Sequence, residues 1–306
     1  MVDGALRACQ ADPALQLLLV GPVEAAGELL GALDPADRAR VRTVAASAER
    51  ADLLRVAPPS ERARASSSRT ESWIESGVRA AVLAVAQGQA DAVVSAGNTG
   101  ATVTSAALGL GRWPGVRRPA LAAVLPTAAG RVLLLDVGSS VDPDEQTLAM
   151  HGRLGAAYAA TVHGVVAPRV GLLTIGTEQG KGDRLRRAMP DVLAGLDLPA
   201  SGRYVGLVEG NDVVLGLAAD VVVTDGFTGN VLLKGLETAY AVIGPPGGDV
   251  PPRAAVLLGV AGVVVVCHGA ASAVDLAAGI AFAADLHRRA AIATIARLIL
   301  QPRGGS

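Results

Sequence analysis

Short runs of Val, Leu, Ile and Ala recur along this chain, each ending in a small-residue or glycine-rich turn before an alanine-rich segment of helical length. The clearest are LQLLLVG (15–21), ADAVVSAG (90–97), ALAAVLP (120–126), RVLLLDVG (131–138), RVGLLTIG (169–176), ADVVVTDG (219–226) and GVVVVCHG (262–269). They are apolar almost throughout instead of alternating with polar residues, which is the pattern of strands buried on both faces. Strands of that kind alternating with helices predict an α/β fold with a mostly parallel sheet flanked by helices.

Helices are expected over 71–87, 99–110, 143–162, 184–194, 230–243 and 272–300, with Gly195 as a stop for the fourth. The run AAVLLGVAGVVVVC (254–267) is 14 residues long, too short for a bilayer span of roughly 20, and reads as one buried strand with its lead-in. APPSERARASSSR (57–69) and GPPGGDVPPR (244–253) read as linkers, the second because prolines and glycines interrupt it. Composition excludes disorder: 51% of the 306 residues are hydrophobic and 18% charged. Seven aromatic residues and a net charge of -1 leave neither a basic field nor a stacking surface, so no nucleic-acid partner is expected. Cys9 and Cys267 lie far apart and no secretory leader is evident, which reads as a reduced, cytoplasmic protein.

In open parallel sheets ligands gather outside the carboxyl ends of the strands, so the turns there point to one crevice lined by several of them. GLLTIGTEQGKGD (171–183) resembles a phosphate loop, but Gly176 and Gly180 enclose three residues where a nucleotide P-loop has four, and Gly182 follows Lys181 in place of Ser or Thr. In SAGNTGA (95–101), Gly97 and Gly100 admit a ligand close to the backbone, free N–H groups and the helix dipole favour an anion, and Asn98 and Thr99 add donors. The same turn also reads as a plain helix cap. LDVGSSVDPDEQ (135–146) repeats the geometry with Gly138, Ser139 and Ser140; Asp136 or Asp142 is a catalytic candidate or a turn former.

VTDGFTGNVLLK (223–234) sets Asp225, a candidate general base, beside Gly226, Thr228, Gly229 and Asn230, ahead of Lys234. CHGAAS (267–272) offers His268 as a proton donor, while Cys267, in an apolar run, reads as inert core. The four histidines show no paired spacing for a metal. Arg112, Arg117 and Arg118, and Arg184, Arg186 and Arg187, read as solvated faces or as docking sites for an acidic carrier protein.

Taken together, SAGNTGA, RRPALA (117–122), LLLDVGSSVD (133–142), PRVGLLTIGTEQGKG (168–182) and ADVVVTDGFTGNVLLK (219–234) resemble, in order and spacing, the bacterial phosphate acyltransferase PlsX family. The resemblance implies a three-layer α/β/α fold like that of isocitrate/isopropylmalate dehydrogenases, one catalytic unit over 1–306 with two subdomains around a central crevice, and a cytoplasmic homodimer that touches the membrane. It implies no cofactor. The family moves a fatty acyl group from acyl carrier protein to inorganic phosphate, and a membrane glycerol-3-phosphate acyltransferase uses the acyl phosphate.

On that pattern Ser95, Gly97, Asn98, Thr99, Gly100, Asp136, Gly138, Ser139, Thr228, Gly229 and Asn230 bind phosphate or substrate. Lys181 supplies positive charge to phosphate or to the oxyanion, and Asp225 resembles the proposed base of related phosphotransacetylases. His268 or Lys181 assists the leaving thiol. Arg117, Arg118, Arg184 and Arg187 are the carrier-docking candidates.

The chain departs from the family in two places. MVDGALRACQADPALQLLLVG begins where the family's first helix is under way, so the strand ending Asp-Ala-Met-Gly-Gly-Asp is expected to be missing. GPPGGDVPPR stands where the family has a few dozen largely helical residues. Smaller differences are ERARASSS and EGND (209–212), where the family has a basic run before paired serines and a Glu-Gly-Arg-Asp turn. The alternatives are a short-chain phosphotransacylase using coenzyme A, an impaired paralogue that binds carrier protein or a partner, and a nicotinamide dehydrogenase. The last lacks a G-x-G-x-x-G turn followed by an acidic residue.

Overall fold

The computed structural model describes residues 1–21, 27–31, 33–46, 69–178, 180–246 and 253–301. Its elements begin with α1 (Val2–Ala11), β1 (Leu17–Gly21), α2 (Gly27–Gly31), α3 (Pro35–Ala39), β2 (Val41–Ala45), α4 (Arg69–Ala86), β3 (Ala92–Ser95) and α5 (Thr99–Gly109). The middle of the chain forms β4 (Ala120–Thr127), β5 (Gly130–Leu135), α6 (Glu145–His163), β6 (Arg169–Leu173), α7 (Arg184–Ala194), β7 (Arg203–Val208) and α8 (Gly210–Leu215). It closes with β8 (Val221–Val223), α9 (Gly226–Ile243), β9 (Ala254–Leu258), β10 (Val263–Cys267), α10 (Ala273–Arg288) and α11 (Ala291–Leu300). Most of the 57–69 and 244–253 linkers, ERARASSS included, falls outside the described residues.

The chain divides into two compact units, one of Met1–Gly111 with Gly262–Asp285 and one of Arg112–Ala261 with Leu286–Ser306. In the first, β1 pairs with β2 and β3 with β10, both in parallel. Arg40, just ahead of β2, donates to the carbonyls of Cys9 (2.7 Å), Asp12 (3.0 Å) and Leu15 (3.1 Å). A cation there offsets the negative end of α1 and fixes it to β2.

In the second unit the strands run β9-β4-β5-β8-β6-β7. From β5 onward every pairing is parallel, whereas β4 pairs antiparallel with both β5 and β9. The reason for the first antiparallel pairing is the connection: only two residues separate β4 from β5, too few for the crossover that a parallel partner needs. The sheet is therefore mixed. Its centre is the core, with Leu133, Leu134, Leu135, Val170, Leu172, Val221 and Val223 fully buried. A core nearly without rings must gain its contacts by close approach, and α6 lies so near the sheet that a Cβ on Gly155 would stand 2.5 Å from Val221.

At the end of α6, His163 meets the fully buried Tyr158 edge-on, with centroids 5.2 Å apart. Burial, aided by Arg131 and Arg289, pushes the His163 pKa from 6.5 down to about 4. The unfolded chain takes the proton first as pH falls, so stability is whole above 6.5 and drains away between 6.5 and about 4. Thermal melts across that window are expected to fall, and to fall less steeply in His163→Phe.

Several boundaries differ from the sequence reading. AAVLLGVAGVVVVC is two strands, because the chain turns at Gly259 with φ +97. The long C-terminal helix is two helices, broken where Ala290 takes φ 47, a conformation nothing in its alanine-rich surroundings marks. The helix expected from Asn230 starts at Gly226, because the Asp225 side chain caps it. β2, β7 and β9 were not anticipated as strands. EGND closes as a reciprocal cap, with Asp212 accepting from the Glu209 N–H at 2.9 Å. Among the described residues no helix is long and apolar enough to cross a membrane.

Candidate active site

In the second unit the turn after β5 is organised by Asp136, which is fully buried. Its carboxylate accepts the N–H groups of Leu121 (3.1 Å), Gly138 (3.1 Å), Ser139 (3.0 Å) and Ser140 (2.6 Å), and the Ser139 hydroxyl at 2.8 Å. That many donors leave it no acceptor role toward a ligand, and an anion beside it would be repelled. Asp136 is thus a turn organiser, which corrects its assignment to the substrate. The Ser139 hydroxyl also lies 2.5 Å from the Pro119 carbonyl, so its single proton is committed inside the turn. Asp142, six residues on, is exposed.

The start of α9 is knitted onto this turn. Gly226 N–H donates to Ser140 O at 2.8 Å, and the Asn230 side-chain amide donates to Val137 O at 3.0 Å. A Cβ on Gly229 would run into the Asp136 carbonyl oxygen. The glycines of GFTGN therefore serve close packing, and Gly138, Gly229 and Asn230 are tied to one another rather than held open for phosphate.

Asp225 caps α9, with Oδ1 accepting Thr228 N–H (2.8 Å) and Oδ2 accepting the Thr228 hydroxyl (2.7 Å) and Arg186 Nη2. Burial works to raise its pKa, but the Thr228 N–H and hydroxyl and the Arg186 guanidinium outweigh it and hold the carboxyl below its usual range. A carboxylate so held is a weak base, which revises the general-base expectation. The Thr228 hydroxyl proton is spent on Asp225, so Thr228 is no side-chain donor to phosphate.

Arg186 was the residue missed. It was grouped with Arg184 and Arg187 as solvated surface, and those two are exposed, but Arg186 is only 7% exposed. The signal was its helical spacing: Arg186, Met189 and Leu193 share the buried face of α7.

Lys181 sits in a loop closed by Lys181 N–H to Glu178 O (3.2 Å) and by the Thr174 hydroxyl to Gly176 O (3.2 Å). Gly180 and Gly182 both take positive φ, +85 and +88, so these glycines serve the backbone and not a nucleotide. The Lys181 stem passes over Gly176, and its ammonium is exposed and makes no hydrogen bond or ion pair among the described residues.

In the first unit, SAGNTGA turns β3 into α5. Ser95 Oγ accepts Gly97 N–H (3.3 Å) and the Thr102 hydroxyl (3.1 Å), which fixes the turn from below. Asn98 caps the helix through Ala101 N–H at 3.0 Å. The N–H groups of Asn98, Thr99 and Gly100 have no acceptor among the described residues. Three unsatisfied amides at the positive end of an 11-residue helix form a seat for an anion.

His268 is exposed beyond β10, and its Nδ1 accepts Ala270 N–H at 3.3 Å, which leaves the proton of the neutral ring on Nε2. Burial first, then Asp275, pushes the Cys267 thiol up to about 11, away from any nucleophilic role. Arg117 is held by Asp144 and Gln146, both at 2.9 Å, while Arg118 is exposed.

Residues 1–245 match the family model described as "Fatty acid synthesis protein". Over 302 residues the chain is 39% identical to the phosphate acyltransferase of Pseudomonas syringae pv. syringae, covering 89% of this chain and 84% of that protein. The chain belongs to the phosphate acyltransferase family. It is 43% identical over 221 residues to the phosphate acyltransferase of Thermobifida fusca, a match covering 63% of this chain. That match spans 61% of the Thermobifida protein, less than two thirds of its length.

Among solved structures, the EutD phosphotransacetylase from Staphylococcus aureus shares the fold at TM-score 0.58 and 18% identity, over 95% of this chain and 89% of that one. A 4-hydroxythreonine-4-phosphate dehydrogenase from Klebsiella pneumoniae shares it at TM-score 0.51 and 13% identity, over 93% and 85% of the two chains. The fold is thus the α/β architecture common to phosphotransacetylases and that dehydrogenase class.

Proposed function

We propose that this protein transfers an acyl group from a thioester to inorganic phosphate, with acyl carrier protein as the donor and a membrane glycerol-3-phosphate acyltransferase as the consumer of the acyl phosphate. The observation that carries the reading is the open amide turn of α5, whose three N–H groups suit phosphate oxygens and find no acceptor among the described residues. A phosphate oxygen forms a bond to the thioester carbonyl carbon, the carbonyl oxygen becomes an oxyanion, the C–S bond breaks, and the thiolate takes a proton.

Phosphate's second pKa lies near neutrality, so part of it is already dianionic and little base strength is needed. Within the second unit, Asp225 is left as a hydrogen-bond acceptor for a proton-bearing oxygen of the substrate, because each carboxylate oxygen holds two hydrogen bonds and Oδ1 has taken only that of Thr228 N–H. The ammonium of Lys181, uncommitted among the described residues, serves phosphate or the oxyanion, and His268 or Lys181 assists the leaving thiol. A homodimer is supported by the bare apolar flank of α9, where Phe227, Val231, Val242 and Ile243 are 64%, 57%, 79% and 80% exposed. The reading carries with it a cytoplasmic protein that works at the membrane edge.

One substitution tests the phosphate seat. Thr99 is the first helical residue, where proline is tolerated, and Asn98 before it is already extended at φ -67, ψ 117. Thr99→Pro therefore deletes one N–H without breaking α5. Losing one hydrogen bond to a charged group costs about 1.5–3 kcal/mol, so the KM for phosphate should rise at least about tenfold. The thioester KM and the melting temperature should hold, and Thr99→Ala should behave as wild type. An unchanged phosphate KM in Thr99→Pro would remove phosphate from this turn. Running acyl carrier protein and coenzyme A thioesters side by side, scored by phosphate-dependent thiol release, identifies the donor.

A further inference from the structure

Arg186 is buried at the carboxyl ends of two strands of the second unit. Its Nε donates to the carbonyl of Leu173, the last residue of β6, at 3.3 Å, and Nη1 to the α7 cap Asp183 at 2.7 Å. Nη2 donates to the hydroxyl of Thr224, just past β8, at 2.8 Å, to Asp225 Oδ2, and at 3.4 Å to the Thr228 hydroxyl. One rigid fork thus ties two strand ends to two helix starts, which the point charge of a lysine cannot do.

A buried ion pair is a poor device for stability alone, since desolvation offsets most of the attraction. Its position among the turns that the acyl-transfer reading uses suggests another purpose. We propose that Arg186 is a positioning residue for acyl transfer: with the Thr228 hydroxyl it fills Oδ2 of Asp225, so that Oδ1 is left as the acceptor for a proton-bearing oxygen of the substrate.

The proposal rests on the acyl-transfer reading. Among the described residues the charged groups near Asp225 include Arg186 and Asp183 from α7 and Asp136 from the turn after β5, whose Oδ2 would lie 3.0 Å from a Cβ on Gly226. Arg186 is the cation of that set. Without it, burial is opposed by the Thr228 hydrogen bonds alone, so the Asp225 carboxyl rises and the oxygen that should accept a hydrogen bond is more readily protonated.

The test is the pH profile of acyl phosphate formation at saturating phosphate in wild type, Arg186→Met and Arg186→Lys. In Arg186→Met the acid limb should rise by about one to three pH units, the range by which an adjacent opposite charge lowers a carboxyl. Its kcat should fall roughly tenfold to a hundredfold, the effect of a misplaced reacting group, with the thioester KM unchanged. Arg186→Lys should restore the acid limb by its charge while kcat stays low, because the fork is lost. Lysine keeps the buried charge paired, and is the variant that answers if methionine does not fold.

A folded variant with wild-type kcat and wild-type acid limb, beside an active wild type, overturns the positioning role alone. A wild-type protein that forms no acyl phosphate overturns the acyl-transfer reading and this proposal with it.

Discussion

Asp136→Ala is expected to cost this protein most of its stability before it costs any particular step of chemistry. The substitution strips the acceptor from the N–H groups of Leu121, Gly138, Ser139 and Ser140. Each buried donor left without a partner costs about 1–3 kcal/mol. The sum, roughly 4 kcal/mol or more, is a large share of the about 5–15 kcal/mol that holds a typical domain together. The damage should spread to α9, since its first turn packs on the Asp136 carbonyl and on Ser140.

Asp136→Asn keeps one acceptor oxygen and turns the other into a donor that faces donors, so it should land between wild type and alanine. Denaturant unfolding followed by circular dichroism measures all three. If alanine shifts stability by less than about 1 kcal/mol, an ordinary surface-like effect, and raises the phosphate KM instead, Asp136 returns to the substrate set.

This outcome marks the limit of what the sequence made legible. The α/β class, seven strands and the placing of the glycine-rich turns at strands' carboxyl ends all follow from apolar runs and glycines, because those signals are local. What a polar residue does at such a turn is not local. Asp136 and Asp225 look alike in sequence, each following a Val- or Leu-rich strand with a glycine one or two residues on. One is consumed by backbone donors and the other is clamped by Arg186, a residue 39 positions earlier.

GFTGN and SAGNTGA also look alike, yet the first spends the Gly226 N–H and the Asn230 side chain on the neighbouring turn and Thr228 and the Gly229 N–H on Asp225, while the second leaves three amides without an acceptor among the described residues. Glycine spacing announces that the backbone comes close to something, without saying whether that partner is a ligand or the protein itself. The missed break at Ala290 has the same origin: a left-handed alanine is imposed by its surroundings, and its own side chain gives no warning.

Lys181→Ala should lower kcat by two to three orders of magnitude while leaving the fold intact. The size follows from preorganised oxyanion donors elsewhere, whose loss costs about 3–4 kcal/mol in the transition state. The intact fold follows from the residue's surroundings: its ammonium is exposed and uncommitted among the described residues, and its loop is closed by backbone and Thr174 contacts that alanine keeps. Surface changes of that kind shift stability by no more than about 0.5 kcal/mol. A collapsed rate beside an unchanged melting temperature would therefore separate a chemical role from a structural one.

The kinetic split then says which charge the lysine meets. If it meets the oxyanion, kcat falls and the phosphate KM holds; if it meets ground-state phosphate, the phosphate KM rises and kcat holds. Thr99→Pro gives the second pattern by expectation, so the two variants measured together assign seat and oxyanion donor to different residues. A loss below about fivefold in Lys181→Ala, far under the usual effect of such a donor, would return the glycine-flanked loop to a plain strand-to-helix turn.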